Sequence, residues 1–145
     1  EGLINPHKSM MVGMRGSLNH VDDYDEAREL GFDVITTDEL LDMGIPALIS
    51  KIKETLKDER VFLSFDIDFI DPAFAPGTGT PEVNGVYPRE AFKILRQLSD
   101  LEFIGLDLVE VLPAYDQGEI TAALAANIMF EMMCLLALNK KAKQS

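Results

Sequence analysis

The alternation of short apolar runs with amphipathic runs is the feature of this sequence that most constrains the fold. Four apolar runs predict β-strands at Met10 to Met14, Phe32 to Thr36, Val61 to Phe65 and Phe103 to Val109. Helical spacing predicts helices at Asp22 to Leu30, from a cap at Thr37 or Asp38 to Leu56, at Pro88 to Leu98 and at Glu119 to Leu138. Strands that alternate with helices run parallel and are joined by right-handed crossovers. The predicted fold class is therefore α/β, with a mostly parallel sheet of about four strands and helices on both faces.

The last predicted helix is apolar on nearly every side and resembles a membrane span in composition. Thr121, Asn127 and Glu131 interrupt it, however, and an unpaired charge at bilayer depth is costly. We therefore expect a helix that is buried in a core or in a subunit interface.

The net charge and the cysteine content indicate which partners and which cellular location to expect. The 25 acidic and 13 basic residues among 145 give a formal net charge of -12. This excess argues against nucleic acid and anionic membranes as partners, because both require a positive surface. Cys134 is the single cysteine, so no intramolecular disulfide can form and a cytoplasmic location is expected.

Two carboxylates follow the third predicted strand, in the segment SFDIDFIDP (residues 64–72). Because strand side chains alternate between faces, Asp66 and Asp68 are expected to point to the same side, opposite to Phe65 and Ile67. Adjacent buried carboxylates repel each other and favour a balancing cation. Oxygen ligands of this kind suit magnesium, manganese or calcium. The alternative is that both acids are solvated loop residues. Asp71 precedes Pro72 and is predicted to be a turn residue.

A further carboxylate follows the fourth predicted strand. Asp107 and Glu110 are three residues apart, so in a regular strand they would face opposite sides. Glu110, at the exit of the strand, is the better candidate to reach Asp66 and Asp68, since carboxyl ends of parallel strands share one edge. A carboxylate there suits a bidentate bond to a planar guanidinium group. A structural, salt-bridged glutamate is the alternative.

The segments SFDIDFIDP (64–72), APGTGTP (75–81) and GLDLVEV (105–111) together resemble the signature of the ureohydrolases, the arginase and agmatinase family. The segments VGMRG (12–16) and ELGF (29–32) are similar to agmatinase-type members in particular. This resemblance covers nearly the whole chain. It implies a truncated arginase-like fold, a partial three-layer sandwich.

The resemblance also implies a chemistry. Members of this family use two manganese ions, bridged by a hydroxide that attacks the guanidinium carbon and releases urea and an amine. By motif, Asp66 and Asp68 would be metal ligands, with Asp66 as the bridge, and Glu110 would bind the guanidinium group of the substrate. Gly77 and Gly79 would let the loop from Pro76 to Pro81 turn tightly at the mouth of the site. The family members are usually trimers or hexamers, so a homo-oligomer is expected.

This sequence departs from the family pattern in the remaining metal ligands. The Gly-Gly-Asp-His and Asp-Ala-His-x-Asp segments of the family are absent, and His7 and His20 lie in other contexts and are expected at the surface. Residues 1–145 are therefore expected to form the C-terminal part of a single ureohydrolase domain. Two carboxylates cannot satisfy two manganese ions. We expect the chain alone to be inactive and to bind metal weakly at best.

Two other functions remain compatible with these residues. One is a magnesium-dependent phosphatase in which the two aspartates of the D-x-D motif act as nucleophile and acid. There the motif normally follows the first strand, whereas here it follows the third. The other is a non-catalytic association domain whose exposed apolar surface promotes self-association.

Overall fold

The computed structural model of the chain describes residues 2–142 and has the predicted α/β class. Four strands are present: β1 (Met10–Met14), β2 (Asp33–Thr36), β3 (Arg60–Asp66) and β4 (Glu102–Val109). Four α-helices are present: α1 (Asp23–Glu29), α2 (Thr37–Leu56), α3 (Pro88–Gln97) and α4 (Ile120–Ala142). Short 3-10 turns lie at Pro6–Lys8, Ile67–Phe69 and Pro113–Tyr115.

The four strands form two parallel pairs. β1 pairs with β2 and β3 pairs with β4, and within residues 2–142 no ladder hydrogen bonds join one pair to the other. The expected single sheet of about four strands is therefore divided. Where β1 approaches the turn after β3, the Phe69 ring lies directly against the backbone of Gly13, since a Cβ on that glycine would sit 2.4 Å from ring carbons.

Helices α2, α3 and α4 form one layer. Helix α2 packs on β1 and β2, α3 lies between α2 and α4, and α4 packs on β4. The core between this layer and the strands is apolar, and its fully buried members include Ile35, Leu48, Ile67, Ile70, Val86, Ile128 and Met132. Helix α1 packs against β2. The core therefore packs beneath both strand pairs and includes residues near their carboxyl ends, such as Ile35 and Phe65.

The start of α2 differs from the prediction. Thr36, rather than Thr37 or Asp38, is the cap: its hydroxyl accepts a hydrogen bond from Glu39 N–H at 3.2 Å, and Glu39 accepts one from Thr36 N–H at 2.7 Å. This reciprocal capping box satisfies two amides that a helix start otherwise leaves free. Thr37 instead buries its hydroxyl, which donates to the Gly13 carbonyl at 2.9 Å. Helix α2 bends at Gly44, which has φ +74° and precedes Ile45–Pro46.

Helix α4 is long and apolar enough to cross a membrane by length and composition, and it is the one such helix in residues 2–142. Ile128, Met132 and Leu135 recur at helical spacing and are buried in the core against β4 and α3. Glu131 pairs with Arg96 of α3. One side of the helix therefore packs in the core of the α/β fold, whereas Phe130 and Met133 on another side are exposed.

One face of the β3–β4 pair is not covered within the described residues. Phe62 and Ile104 on this face are 59% and 55% exposed. The Phe62 ring lies over Gly105 of the neighbouring strand, where a Cβ would approach it to 2.7 Å. The predicted helices on this side of the pair are therefore not supplied by residues 2–142.

Candidate metal centre

Asp66 is the last residue of β3, and the chain leaves the strand immediately after it. Ile67–Phe69 form a 3-10 turn in which Asp68 N–H donates to Asp66 Oδ1 at 2.8 Å. The strand alternation expected from Asp66 to Asp68 is therefore wrong. The Asp66 side chain accepts a hydrogen bond from the backbone of the turn that follows it, and the strand ends there. Short acidic side chains commonly form such local bonds in competition with strand pairing.

Asp66 and Asp68 nevertheless face the same space. Both line an open cavity of about 370 Å³ that lies between the end of β1 and the turn after β3. Gly13 and Arg15 line it on the β1 side, and Phe69 lines it on the other. The cavity sits at the carboxyl ends of the parallel strands, which is where ligand sites in α/β folds occur.

Two threonine hydroxyls hold the carboxylate of Asp68. Thr78 Oγ1 contacts Asp68 Oδ1, and Thr80 Oγ1 donates to Asp68 Oδ2 at 2.7 Å. Thr78 Oγ1 also lies 3.0 Å from the Glu110 carbonyl. Because a hydroxyl carries one proton, it donates to one of these acceptors at a time. Thr78 is 1% exposed and its strand bridge to Val111 ties the loop to the end of β4.

Charge and desolvation act on Asp66. Partial burial raises the pKa of its carboxyl above the usual range, and the negative charges of Asp68 and Glu110 raise it further. The hydrogen bond from Asp68 N–H and the positive charge of Arg15 oppose this rise but do not cancel it. The site thus concentrates negative charge that a bound cation would neutralise.

Glu110 follows β4 directly and adopts φ +64°, a left-handed conformation that is uncommon for a residue with a side chain. Its carbonyl faces Thr78, and its side chain is exposed. Its charge is close enough to influence Asp66, although Glu110 is not among the residues that line the cavity. Strained backbone of this kind clusters at functional sites.

The loop around Gly77 packs on the start of α4. Gly77 N–H donates to the buried hydroxyl of Thr121 at 2.8 Å, and a Cβ on Gly77 would come within 2.9 Å of the Asp116 backbone. Close approach therefore explains this glycine, whereas Gly79 has open space around it. Asp116 accepts from the amides of Thr121 and Ala122 at 3.0 and 2.9 Å. Desolvation raises the pKa of Asp116, but these and neighbouring hydrogen bonds lower it on balance.

Asp71 is a turn residue, as predicted. Its carboxylate accepts from Ala73 N–H at 2.9 Å and from Gly85 N–H at 3.0 Å, and the first of these bonds is the main cause of its lowered pKa. His7 and His20 are exposed, which agrees with their predicted surface positions.

The described residues supply only part of a metal ligand set. Within residues 2–142, no group of three or more His, Cys, Asp or Glu side chains is placed to hold an ion. Asp66 and Asp68 provide hard oxygen donors that suit manganese or magnesium, and both face one cavity. The chemistry of the donors therefore fits such a metal, while their number does not complete its coordination.

Three residues of the site were not singled out in the sequence. In the sequence, Arg15 stands only within the segment VGMRG (12–16), and Thr78 and Thr80 only within the loop from Pro76 to Pro81. Their roles depend on contacts across 10 to 68 positions of the chain, such as the bond from Arg15 to the Val83 carbonyl. The alternation of glycine and threonine at residues 77–80 is the sequence pattern that could have indicated the two threonines.

Replacing Thr78 with valine is expected to destabilise the chain by about 1–3 kcal/mol, because it removes a buried donor from Asp68 and the Glu110 carbonyl. Valine keeps the shape of the side chain, so packing is preserved. Urea denaturation of both proteins measures the difference. Thr80→Val is the matched control: Thr80 is exposed, and we expect a loss of less than about 0.5 kcal/mol. Equal losses in the two variants would contradict the assignment of Thr78 as the buried link.

Comparison with known protein sequences gives matches over nearly the whole chain. The Arginase family model matches residues 1–135. Agmatinase from Photorhabdus laumondii is 47% identical over 141 residues, which are 97% of this chain and 43% of that protein. Guanidinopropionase from Pseudomonas aeruginosa is 42% identical over 137 residues, again 43% of its length. The chain thus spans less than half the length of the relatives that it matches.

Solved structures agree with the fold. Proclavaminate amidino hydrolase from Streptomyces clavuligerus is 41% identical and superposes with a TM-score of 0.86 over 94% of this chain and 44% of that one. Arginase from Bacillus caldovelox is 30% identical, with a TM-score of 0.81 over 92% of this chain and 44% of that one. The family match extends over more than nine-tenths of the sequence, and the arginase-like α/β fold is present. The chain belongs to the arginase family.

Proposed function

We propose that this chain is the C-terminal part of a longer ureohydrolase that hydrolyses a guanidino compound to urea and an amine. The observation that carries the proposal is the placement of Asp66 and Asp68 on one cavity at the carboxyl ends of β1 and β3, in a chain of the arginase family. Since two carboxylates do not complete a two-metal site, the remaining ligands would come from the longer protein.

In the proposed site, Asp66 and Asp68 hold two manganese ions together with those other ligands. When bound, the ions lower the pKa of water and polarise the reacting group. Within this chain, the hydroxyls of Thr78 and Thr80 hold the carboxylate of Asp68 in position. Glu110, which follows β4 with an exposed side chain, would bind the guanidinium group of the substrate.

Agmatine is the substrate that we propose. Agmatinases at 47% and 44% identity support this choice, and guanidinopropionase at 42% identity supports a guanidino group as the common element. The excess of acidic residues suits a cationic substrate. We further propose a cytoplasmic enzyme that assembles as a homo-oligomer, a trimer or hexamer, with neither nucleic acid nor a membrane as partner.

The chain alone is expected to be inactive, because two of the ligands of a two-metal site cannot assemble the reacting groups. Urea release from agmatine, guanidinopropionate and arginine is measured with manganese present, for the isolated chain and for the longer polypeptide that contains it. We expect urea from the longer polypeptide only, with agmatine preferred. Urea release by the isolated chain, together with micromolar manganese binding, would overturn the incomplete-site proposal.

The other two functions make different predictions in the same samples. A phosphatase would hydrolyse a simple phosphate ester with magnesium, but the family match over residues 1–135 favours guanidine hydrolysis instead. An association domain would show concentration-dependent oligomers and no hydrolysis of either substrate class by the longer polypeptide. Such a result would replace the enzymatic proposal.

A further inference from the structure

Arg15, a partly buried residue directly after β1, makes hydrogen bonds to several backbone carbonyl groups. Its guanidinium group binds backbone carbonyl oxygens, and none of the ion pairs found within residues 2–142 includes it. Nη2 contacts the Asp68 carbonyl and donates to the Glu82 carbonyl at 2.9 Å. Nε lies 3.2 Å from the Val83 carbonyl, and Nη2 lies 3.5 Å from the Ile70 carbonyl.

These contacts join three separate parts of the chain. Arg15 follows β1 directly, Asp68 and Ile70 belong to the turn after β3, and Glu82 and Val83 belong to the loop that carries Thr80. The packing is close on both sides of Arg15. The Phe69 ring lies against Gly13, and the side chain of Glu82 lies against Gly16, where a Cβ would come within 2.8 Å of it. Arg15 therefore holds the end of β1 against both segments.

The side chain of Asp68 closes a ring with the same loop. The Asp68 carboxylate accepts from Thr80, and the Asp68 carbonyl is joined through Arg15 to Glu82, two residues after Thr80. The distance between Asp68 and the loop is thus set twice, once through the carboxylate and once through Arg15. Without Arg15, the hydrogen bonds that remain between Asp68 and this loop within residues 2–142 are those of the Thr78 and Thr80 hydroxyls.

We propose that Arg15 is the positioning residue of the candidate metal centre: it fixes the Asp68 backbone relative to the loop of Thr78 and Thr80, and thereby the direction of the Asp68 carboxylate. This role rests on the proposed function, since it concerns the same site. Arg15 acts on the carboxylate through the backbone and the loop. The planar guanidinium group presents several donors in one plane, which a single ammonium group does not reproduce.

The test compares Arg15→Lys with Arg96→Lys in the 145-residue chain. Arg96 is the matched control because its guanidinium group pairs with Glu131 between α3 and α4, away from the cavity. Manganese chloride is added to each protein, and paramagnetic broadening of the amide signals of residues 66–68 and 78–80 is followed by NMR. We expect broadening at millimolar manganese in the parent chain, a midpoint raised about 10-fold in Arg15→Lys and no change in Arg96→Lys.

A purely structural role would lower stability without moving the manganese midpoint. Urea denaturation of the same samples gives the unfolding free energy, and a midpoint in Arg15→Lys within twofold of the parent would overturn the proposal, whatever the loss of stability. Arg15→Gln, which keeps a donor but no charge, serves as a second variant if the lysine variant does not fold.

Failure of the proposed function gives a different result. If the unsubstituted chain shows no broadening at these amides, the 145-residue chain alone does not bind manganese there, and urea release by the longer polypeptide decides the proposed function. Without metal, nuclear Overhauser contacts between the side chains of Thr80 and Asp68, which are hydrogen-bonded in the structure, then test the role of Arg15. Their loss in Arg15→Lys and retention in Arg96→Lys would support positioning by Arg15, and their retention in both would overturn it.

Discussion

Replacing Ile128 with alanine is expected to lower the unfolding free energy of the chain by about 2–5 kcal/mol. Ile128 is 0% exposed on the inner side of α4, in the core that this helix shares with β4 and α3. Truncation removes apolar contacts and leaves a cavity that neighbouring side chains fill only in part. Because small domains are stable by about 5–15 kcal/mol, a loss of this size is a large fraction of the total. Urea denaturation followed by circular dichroism measures it.

Phe130→Ala on the same helix is the control for this experiment. Phe130 is 62% exposed, so its truncation is expected to change the unfolding free energy by less than about 0.5 kcal/mol. The two variants distinguish a helix that is buried on one side only from a helix whose apolar side chains are all covered. If Phe130→Ala proves as costly as Ile128→Ala, the outer face of α4 is covered in solution, and the one-sided packing described above is incorrect.

The class of fold and the approximate positions of most elements could be predicted from apolar periodicity and from proline. The runs 10–14 and 103–109 predicted β1 and most of β4, and Pro88 marked the first residue of α3. These elements are determined locally, by the spacing of apolar residues and by the fixed φ of proline. The pairing of the strands could not be predicted from these local patterns. Which strands pair depends on contacts between residues far apart in the chain, such as Val61 with Phe103, and no local pattern contains them.

In the candidate site as well, features set by neighbouring residues could be predicted, and features set by distant residues could not. Asp66 and Asp68 were identified from their position after an apolar strand, and both do line one cavity. The reason is not strand alternation but a 3-10 turn that Asp66 caps for itself. The contribution of Arg15 was missed because its partners are backbone carbonyls, which every residue has and no motif marks. The left-handed backbone of Glu110 was missed for a related reason: its side-chain type gives no signal for it.

Replacing Asp66 with asparagine is expected to stabilise the metal-free chain at neutral pH. Burial and the charges of Asp68 and Glu110 raise the pKa of Asp66 in the folded chain. A carboxyl group whose pKa is raised on folding contributes stability below its unfolded pKa and loses it as pH rises through the folded pKa. Above that range the ionised Asp66 weakens the fold, and asparagine removes the charge while keeping the oxygen that accepts from Asp68 N–H. Because the side chain is exposed to solvent at the cavity, we expect a gain of no more than about 1 kcal/mol.

The same substitution is expected to reduce guanidine hydrolysis by the longer polypeptide at least about 100-fold. Loss of a residue that merely supports a metal ligand costs about 10–100-fold, and loss of a proposed ligand should cost more. Stability and activity thus change in opposite directions, which distinguishes a charge retained for metal binding from one that is structural. Thermal denaturation between pH 4 and pH 7 should show the stability gain growing with pH, and urea release from agmatine with manganese gives the activity. If Asp66→Asn loses stability at pH 7 and keeps its activity, Asp66 is a structural residue and the metal centre must lie elsewhere.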